Sequence, residues 1–253
     1  MEGIRAVLVV GRPAGYRSFA IVEGGGDAQA GSPPRPMHNE DMNDENVVVC
    51  FGDSNTWGCD PSGGPRFDRS TRWPWVMREA LGKGYHMVEE GLGGRTTVWD
   101  DPVEGDKNGL KHLAPLLWSH HPLDLLVIML GTNDLKHRFG VSAWDVASGI
   151  GRLVETTRGC AVGRAERAPE ILVVCPPPFA AMRGTPYLEM FEGGEEKSHQ
   201  LAPAMAAHCR ELGVPMLDAG EVIRSSRVDG IHLEASEHRK LGVAVAERVR
   251  TML

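Results

Sequence analysis

From Val47 to the end of the chain, short runs of apolar residues alternate with longer amphipathic stretches, and this alternation limits the fold more than any other feature. The runs Val47–Phe51, Tyr85–Glu89, Leu125–Leu130, Ile171–Cys175 and Pro215–Leu217 have short apolar cores, the pattern of strands covered on both faces. Between them Trp73–Leu81, Leu110–Ser119, Ala143–Thr157, Glu195–Leu212 and Ser236–Leu253 read as helices. In the last of these Leu241, Val245, Val249 and Leu253 recur every four residues, which predicts a core-facing stripe. Strand–helix alternation predicts an α/β fold, with a parallel sheet carrying helices on both sides. In such a sheet ligands bind beyond the carboxyl ends of the strands, so the residues that follow each strand are the ones to inspect. With 253 residues, 42% of them hydrophobic, the chain is long enough for one sizeable core.

Residues 1–46 are of another kind. "GGGDAQAGSPPRP" is rich in small residues and proline, and "HNEDMNDEN" is polar and acidic. Such a composition buries too little apolar surface to offset chain entropy, and disorder is expected. A short hairpin or strand within residues 4–22 is the one ordered element expected there. Met42 stands just ahead of the first strand, so residues 1–46 are alternatively read as an over-extended start or a regulatory tail. A single folded domain is expected over 47–253.

Composition removes several classes of function. A formal net charge of −7 gives no electrostatic reason to expect nucleic acid or an anionic membrane as a partner. The N-terminal run "AVLVV" is broken by Gly11, Arg12 and Pro13, too soon for a signal segment, and no stretch is long enough to span a bilayer. A cytoplasmic protein is expected. The five cysteines, Cys50, Cys59, Cys160, Cys175 and Cys209, are scattered without paired spacing, which argues against a disulfide framework or structural zinc. The neighbouring acids Asp100 and Asp101 point in different directions and lack a completing ligand set, so a structural loop or an interface contact is expected there rather than a metal. No cofactor is called for.

Four polar clusters follow apolar runs. "FGDSN" at 51–55 contains Ser54; alone it reads first as a turn, and it lacks the glycines and Gly-Lys-Ser/Thr ending of a phosphate loop. As a nucleophile Ser54 would need a base and oxyanion donors. "DGIH" at 229–232 offers the base: an acid three residues before a histidine, with Gly230 between them, can hold the ring Nδ1–H and leave Nε2 free for a serine proton. "GTND" at 131–134 supplies the Asn133 amide, and "GLGGRTT" at 91–97 supplies backbone N–H groups that can approach a substrate closely. Each cluster alone is ordinary turn chemistry. Together they contain every part of an acyl-transfer site.

On these four ordered motifs the chain resembles the GDSL/SGNH hydrolase family, over about Val47 to Leu253. "WDDP", "KNGLKHL", "HHPLDLLVIMLGTNDLK", "VVCPPP", "FEGGEEKS" and "DGIHLEASEHRKLG" make it similar to the bacterial arylesterase/acyltransferase group typified by a mycobacterial enzyme. The resemblance implies a flavodoxin-like three-layer αβα sandwich with a five-stranded parallel sheet. It implies hydrolysis of short-chain esters, acyl transfer to alcohols, perhydrolysis with peroxide, and a homo-octamer. Carried over motif by motif, it makes Ser54 the nucleophile, His232 the general base and acid, and Asp229 its orienter. The oxyanion hole would be the N–H groups of Ser54 and Gly94 and the side chain of Asn133. Positions matching the group's substrate pocket are Asn55, Thr132, Lys136, Tyr187, Met190, Phe191 and Ile231, and Trp57 joins Phe191 and Ile231 in an expected dry rim.

The chain also departs from that group. Asn55 replaces the usual leucine, which should make the pocket edge more polar. Cys59 stands in place of a second tryptophan, which should widen the acyl pocket. The loop from Cys59 to Thr71 is shorter, which puts octamer assembly and efficient acyl transfer in question. A carbohydrate acetylesterase or lysophospholipase on the same scaffold, and a non-catalytic anion-binding module, stand as alternatives. The expected partners are small ester substrates and alcohol acceptors, with a homo-oligomer implied by the resemblance.

Overall fold

A computed structural model of the chain describes residues 45–253. The element expected within residues 4–22, and the reading of 1–46 apart from its last two residues, lie outside the described residues. Five strands form one all-parallel sheet: β1 (Asn46–Gly52), β2 (Tyr85–Gly91), β3 (Leu125–Met129), β4 (Glu170–Cys175) and β5 (Met216–Asp218), in the order β2-β1-β3-β4-β5. The sheet order reverses direction at β1 and β3, which is where this topology opens a crevice.

Alternate residues of each strand point to opposite faces, and each face is covered. Val49, Phe51, Leu126, Ile128, Ile171 and Val173 pack against α3 (Gly109–Ser119), α4 (Ala143–Cys160) and α6 (Gly194–Leu212). Val48, Cys50, Leu125, Val127, Leu172 and Val174 pack against α2 (Trp73–Leu81) and α7 (Ala235–Val249). The result is a three-layer αβα sandwich. Local signals agree with these helices. Pro74 sits in the first turn of α2, where its missing N–H costs nothing. Ser142 and Asp145 form a reciprocal capping box on α4.

Two short helices do not announce themselves in the sequence, α1 (Ser54–Trp57) and α5 (Tyr187–Met190). Four residues are too few to be stable alone; α1 exists because Asp53 caps it, Oδ1 accepting the Asn55 N–H at 2.9 Å. The stripe on the last helix is shorter than the spacing predicts. Leu241, Val245 and Val249 are fully buried, but α7 stops at Val249, and Leu253 is exposed beyond it. All five cysteines are free thiols; burial pushes those of Cys50 and Cys175 up. Among the described residues no helix is long and apolar enough to cross a membrane, and no group of three or more His, Cys, Asp or Glu is arranged to hold a metal ion.

Helices α2 and α7 cross closely at Gly242. A methyl group there would lie 2.6 Å from Val76 Cβ and 2.8 Å from the Trp73 carbonyl oxygen. Glycine-to-alanine in an open helix gains about 1 kcal/mol. Here the overlap with backbone should reverse the sign: Gly242→Ala is expected to destabilise by about 1–3 kcal/mol, seen as a lower urea midpoint with an unchanged slope.

Candidate active site

The chemistry-bearing side chains collect at the carboxyl ends of β1 and β3. Ser54 is the first residue of α1, immediately after β1 and Asp53, and is 9% exposed. Its Oγ lies 3.0 Å from His232 Nε2. His232 comes from the loop before α7, 178 residues further along the chain, and its Nδ1 lies 2.5 Å from Asp229 Oδ2.

The loop 229–232 holds its own shape. Asp229 Oδ1 accepts the N–H groups of Ile231 at 2.9 Å and His232 at 3.0 Å, so the carboxylate is locked before it meets the imidazole. Gly230 makes the turn with φ +85°, and a methyl group on it would strike Met182 Cγ at 2.6 Å and the Ala180 carbonyl at 2.9 Å; no L side chain suits both restraints. Burial disfavours the His232 imidazolium, but the hydrogen bond and charge of Asp229, with the Cys59 side chain beside the ring, outweigh it, and the ring's pKa is raised. Burial also works against the Asp229 carboxylate. Its hydrogen bonds to His232 and to the loop N–H groups win, and its pKa is lowered.

Asn133 follows β3 in a short 3-10 turn. Its Nδ2 donates to the Arg95 carbonyl at 3.1 Å and makes a long 3.4 Å contact with Asp53 Oδ2. The second N–H is weakly held and can turn to a better acceptor. Among the described residues no backbone acceptor takes the N–H of Ser54 or of Gly94. The site thus has a serine on an imidazole, the imidazole on a carboxylate, and N–H groups near the serine. Such a set can move a proton from Oγ to Nε2 and steady a negative oxygen.

Several residues around this set were not singled out by sequence reasoning. The buried Arg95 guanidinium donates through one Nη to the carbonyls of Gly52, at 2.7 Å, and Glu90, and lies 4.2 Å over the Phe51 ring. It ties the ends of β1 and β2 together. Burial lowers its pKa to about 10 against the opposing pull of Glu90 and Asp53. Asp134 accepts Thr97 N–H at 3.1 Å on both oxygens and also the Thr97 hydroxyl, so the glycine loop is anchored to the Asn133 turn. Burial raises Asp134 to about 6, partly offset by the Thr97 bonds. The signal for both was position: a charged residue inside a loop that follows a buried strand.

The structure places the expected pocket residues unevenly. Tyr187 stands edge-on to His232 with ring centroids 5.9 Å apart, and Phe191 stacks against Tyr187 and Phe179. Ile231 is buried, and Met190 packs partly buried on the core. Thr132 is buried beside Asp53, whose carboxylate its side chain favours.

Three expectations need correction. Asn55 does not edge a pocket: its side chain is buried, Oδ1 accepting the Leu233 N–H at 3.1 Å and Nδ2 reaching the Ile231 carbonyl at 3.4 Å, so it braces the histidine loop. Lys136 is not available to a substrate: it is 2% exposed, with Nζ 2.6 Å from Glu104 and 3.3 Å from Asp101. Trp57 is no part of a dry rim, because it is 36% exposed with the Arg66 guanidinium 4.8 Å over its ring. A cavity of about 370 Å³ lined by Met182, Leu188, Phe191 and Glu192 adjoins the site through Phe191 but does not include Ser54. Asp101, read as structural, accepts the N–H groups of Val103 and Glu104 and pairs with Lys136 and Arg138.

Sheet order and the serine–histidine–aspartate chain together define a hydrolase of the SGNH type on an α/β fold. The GDSL-like lipase/acylhydrolase family model matches residues 50–240; the chain belongs to that family and is a carboxylic ester hydrolase. Solved structures agree. The chain is similar to Est24, a carbohydrate acetylesterase from Sinorhizobium meliloti, at 43% identity over 83% of this chain and 100% of that one, with a TM-score of 0.79. It is similar to the M. smegmatis aryl esterase at 44% identity over 82% and 100%, with a TM-score of 0.78. A carbohydrate acetylesterase family member from Sinorhizobium meliloti matches at 41% identity over 82% and 99%, with a TM-score of 0.78. Comparison with curated proteins gives no significant match.

Because Asn55 is the brace between α1 and the histidine loop, Asn55→Leu leaves the buried Leu233 N–H without an acceptor. A loss of about 1–3 kcal/mol is expected, measured by chemical denaturation. An unmoved midpoint would show that the brace carries no load.

Proposed function

We propose that this protein hydrolyses short-chain carboxylic esters through an acyl-enzyme on Ser54, and passes the same acyl group to alcohols and to peroxide. The observation that carries the reading is the 3.0 Å contact between Ser54 Oγ and His232 Nε2, backed by Asp229. Ser54 Oγ attacks the ester carbonyl, and its proton moves to His232 Nε2. The carbonyl oxygen becomes an oxyanion among the N–H groups of Ser54 and Gly94 and the Asn133 amide. The C–O bond then breaks, and the alcohol leaves with the proton from His232. Water, an alcohol or peroxide attacks the acyl-enzyme while His232 takes its proton, and Ser54 leaves as a hydroxyl. Burial of Ser54 and His232 beside Tyr187, Phe191 and Ile231 limits free water and supports transfer to bound alcohols. The aryl esterase and carbohydrate acetylesterase named among its structural relatives both act on esters, which supports the same reaction class. Assembly into a homo-oligomer is part of this reading, and light scattering of the purified chain tests it.

Fluorophosphonate labelling is the direct test. A covalent adduct is expected on Ser54 at neutral pH, and none on Ser54→Ala. An unlabelled wild type would favour an anion-binding module instead. Asn133→Ala is expected to lower kcat by about 10²–10³ on p-nitrophenyl acetate, and rates should fall along a series of longer acyl chains.

The pH profile follows from the raised His232 pKa. Only the neutral ring accepts the serine proton, so a raised pKa moves the rising limb of kcat/KM to higher pH. Asp229→Asn removes the main group that favours the charged ring. The limb should therefore move toward lower pH while the plateau drops by orders of magnitude. A limb that stays in place with an unchanged plateau would remove Asp229 from the mechanism.

A further inference from the structure

The glycine loop at the site is overlain by the later part of the same β2–α3 connection, where one carboxylate oxygen takes no hydrogen bond among the described residues. Glu104 Oε1 accepts Lys136 Nζ at 2.6 Å and Arg138 Nη2 at 2.6 Å. Glu104 N–H donates to Asp101 Oδ1 at 3.1 Å. The carboxyl group is therefore held from both ends. Its other oxygen, Oε2, lies against Gly94: a methyl group built on Gly94 would come within 2.5 Å of it. Gly94 has φ +81°, and among the described residues no backbone acceptor takes its N–H. Tyr187, whose ring stands edge-on to His232, has its pKa raised, first by burial and then by nearby acids that include Asp229 and Glu104. Glu104 Oε2 thus lies against the glycine loop at the edge of the site, partly exposed, and among the described residues no hydrogen bond reaches it.

We propose that Glu104 is a specificity-determining residue whose Oε2 accepts a hydrogen bond from a hydroxyl on the alcohol portion of the ester, selecting esters of polyhydroxylated alcohols over esters of plain alkyl alcohols. The inference rests on the esterase reading and names the substrate class within it. A short acyl chain has no donor to offer, so the partner of Oε2 belongs to the alcohol. An ammonium group is the poorer fit. Glu104 and Asp101 are already balanced by Lys136 and Arg138, and the Lys107 stem runs beside the same glycine, so the mouth carries no uncompensated negative charge to attract a cation. A carboxylate-bearing alcohol would be repelled at Oε2 itself. A neutral O–H donor satisfies the oxygen without either cost, and a site built around such a bond discriminates against the analogue that lacks it.

The test compares glyceryl monoacetate with n-propyl acetate, which share the acyl group and the carbon count of the alcohol. Both are measured on the same preparation, so any loss of folded protein cancels from the ratio of their kcat/KM values. Wild type is expected to favour glyceryl monoacetate, and Glu104→Ala to lower that ratio about tenfold, the usual scale for a hydrogen bond to a charged group. Asp106→Ala, an exposed acid on the same segment, is expected to keep it. A ratio unchanged in Glu104→Ala, or lowered equally by Asp106→Ala, would overturn the proposal. So would a Glu104→Ala variant that loses rate on the acetate ester of a quaternary amino alcohol while keeping the glyceryl preference. If the wild type cleaves neither neutral ester, the esterase reading itself fails.

Discussion

Parallel pairing of β1 with both its neighbours is the constraint from which the site follows. The register sets Gly52 opposite Gly91 on one side and opposite Met129 on the other, so three strand ends finish level. The three loops that leave those ends carry Ser54, Gly94 and Asn133. Because the sheet order turns at β1 and β3, the helices that follow these strands depart to opposite faces and leave an open crevice between them. A shift of one residue in either pairing would turn the buried strand residues to the wrong face and separate the loops. Arg95 reinforces the arrangement by donating to carbonyls at the ends of both β1 and β2.

Buried charge is concentrated around this crevice. Asp53, Arg95, Asp134, Asp229 and His232 are all buried or nearly so, and each is held by hydrogen bonds from backbone or from a neighbour. Desolvating a charge costs several kcal/mol unless such partners are present. Their arrangement fixes geometry more than it adds stability. Asp53 caps the serine helix and touches Asn133; Asp134 joins the glycine loop to the same turn; Asn55 links the serine helix to the histidine loop. Ser54, His232 and Asp229 are few, and most of the polar residues nearby hold them in place.

Much of the fold was legible because the strands are covered on both faces, which leaves an uninterrupted apolar run for each. The five strands lie within one or two residues of where those runs place them, β1 for example spanning Asn46–Gly52 against an expected Val47–Phe51. The catalytic-type serine, histidine and aspartate were legible because spacing and strand position both pointed to them, and the structure brings them into contact. What the sequence hid depends on tertiary contacts. Helix α1 has no periodic pattern to display and is set by one cap. Asn55 and Lys136 sit beside the site in sequence, but their side chains turn to the histidine loop and to a buried ion cluster. Glu104 lies in a polar loop with no apolar pattern, and only its placement over Gly94 gives it meaning. Leu253 continues a four-residue rhythm that the helix itself does not follow.

The distance along the chain between Ser54 and His232 has a consequence for biosynthesis. The hydroxyl is translated early in the domain, the imidazole near its end, and the last helix after that, docking on α2 through the narrow crossing at Gly242. A growing polypeptide therefore carries Ser54 without its imidazole partner through most of its synthesis. The contact between Ser54 and His232 forms only when the final segment closes over the sheet, so a chain that ends before it lacks the pair.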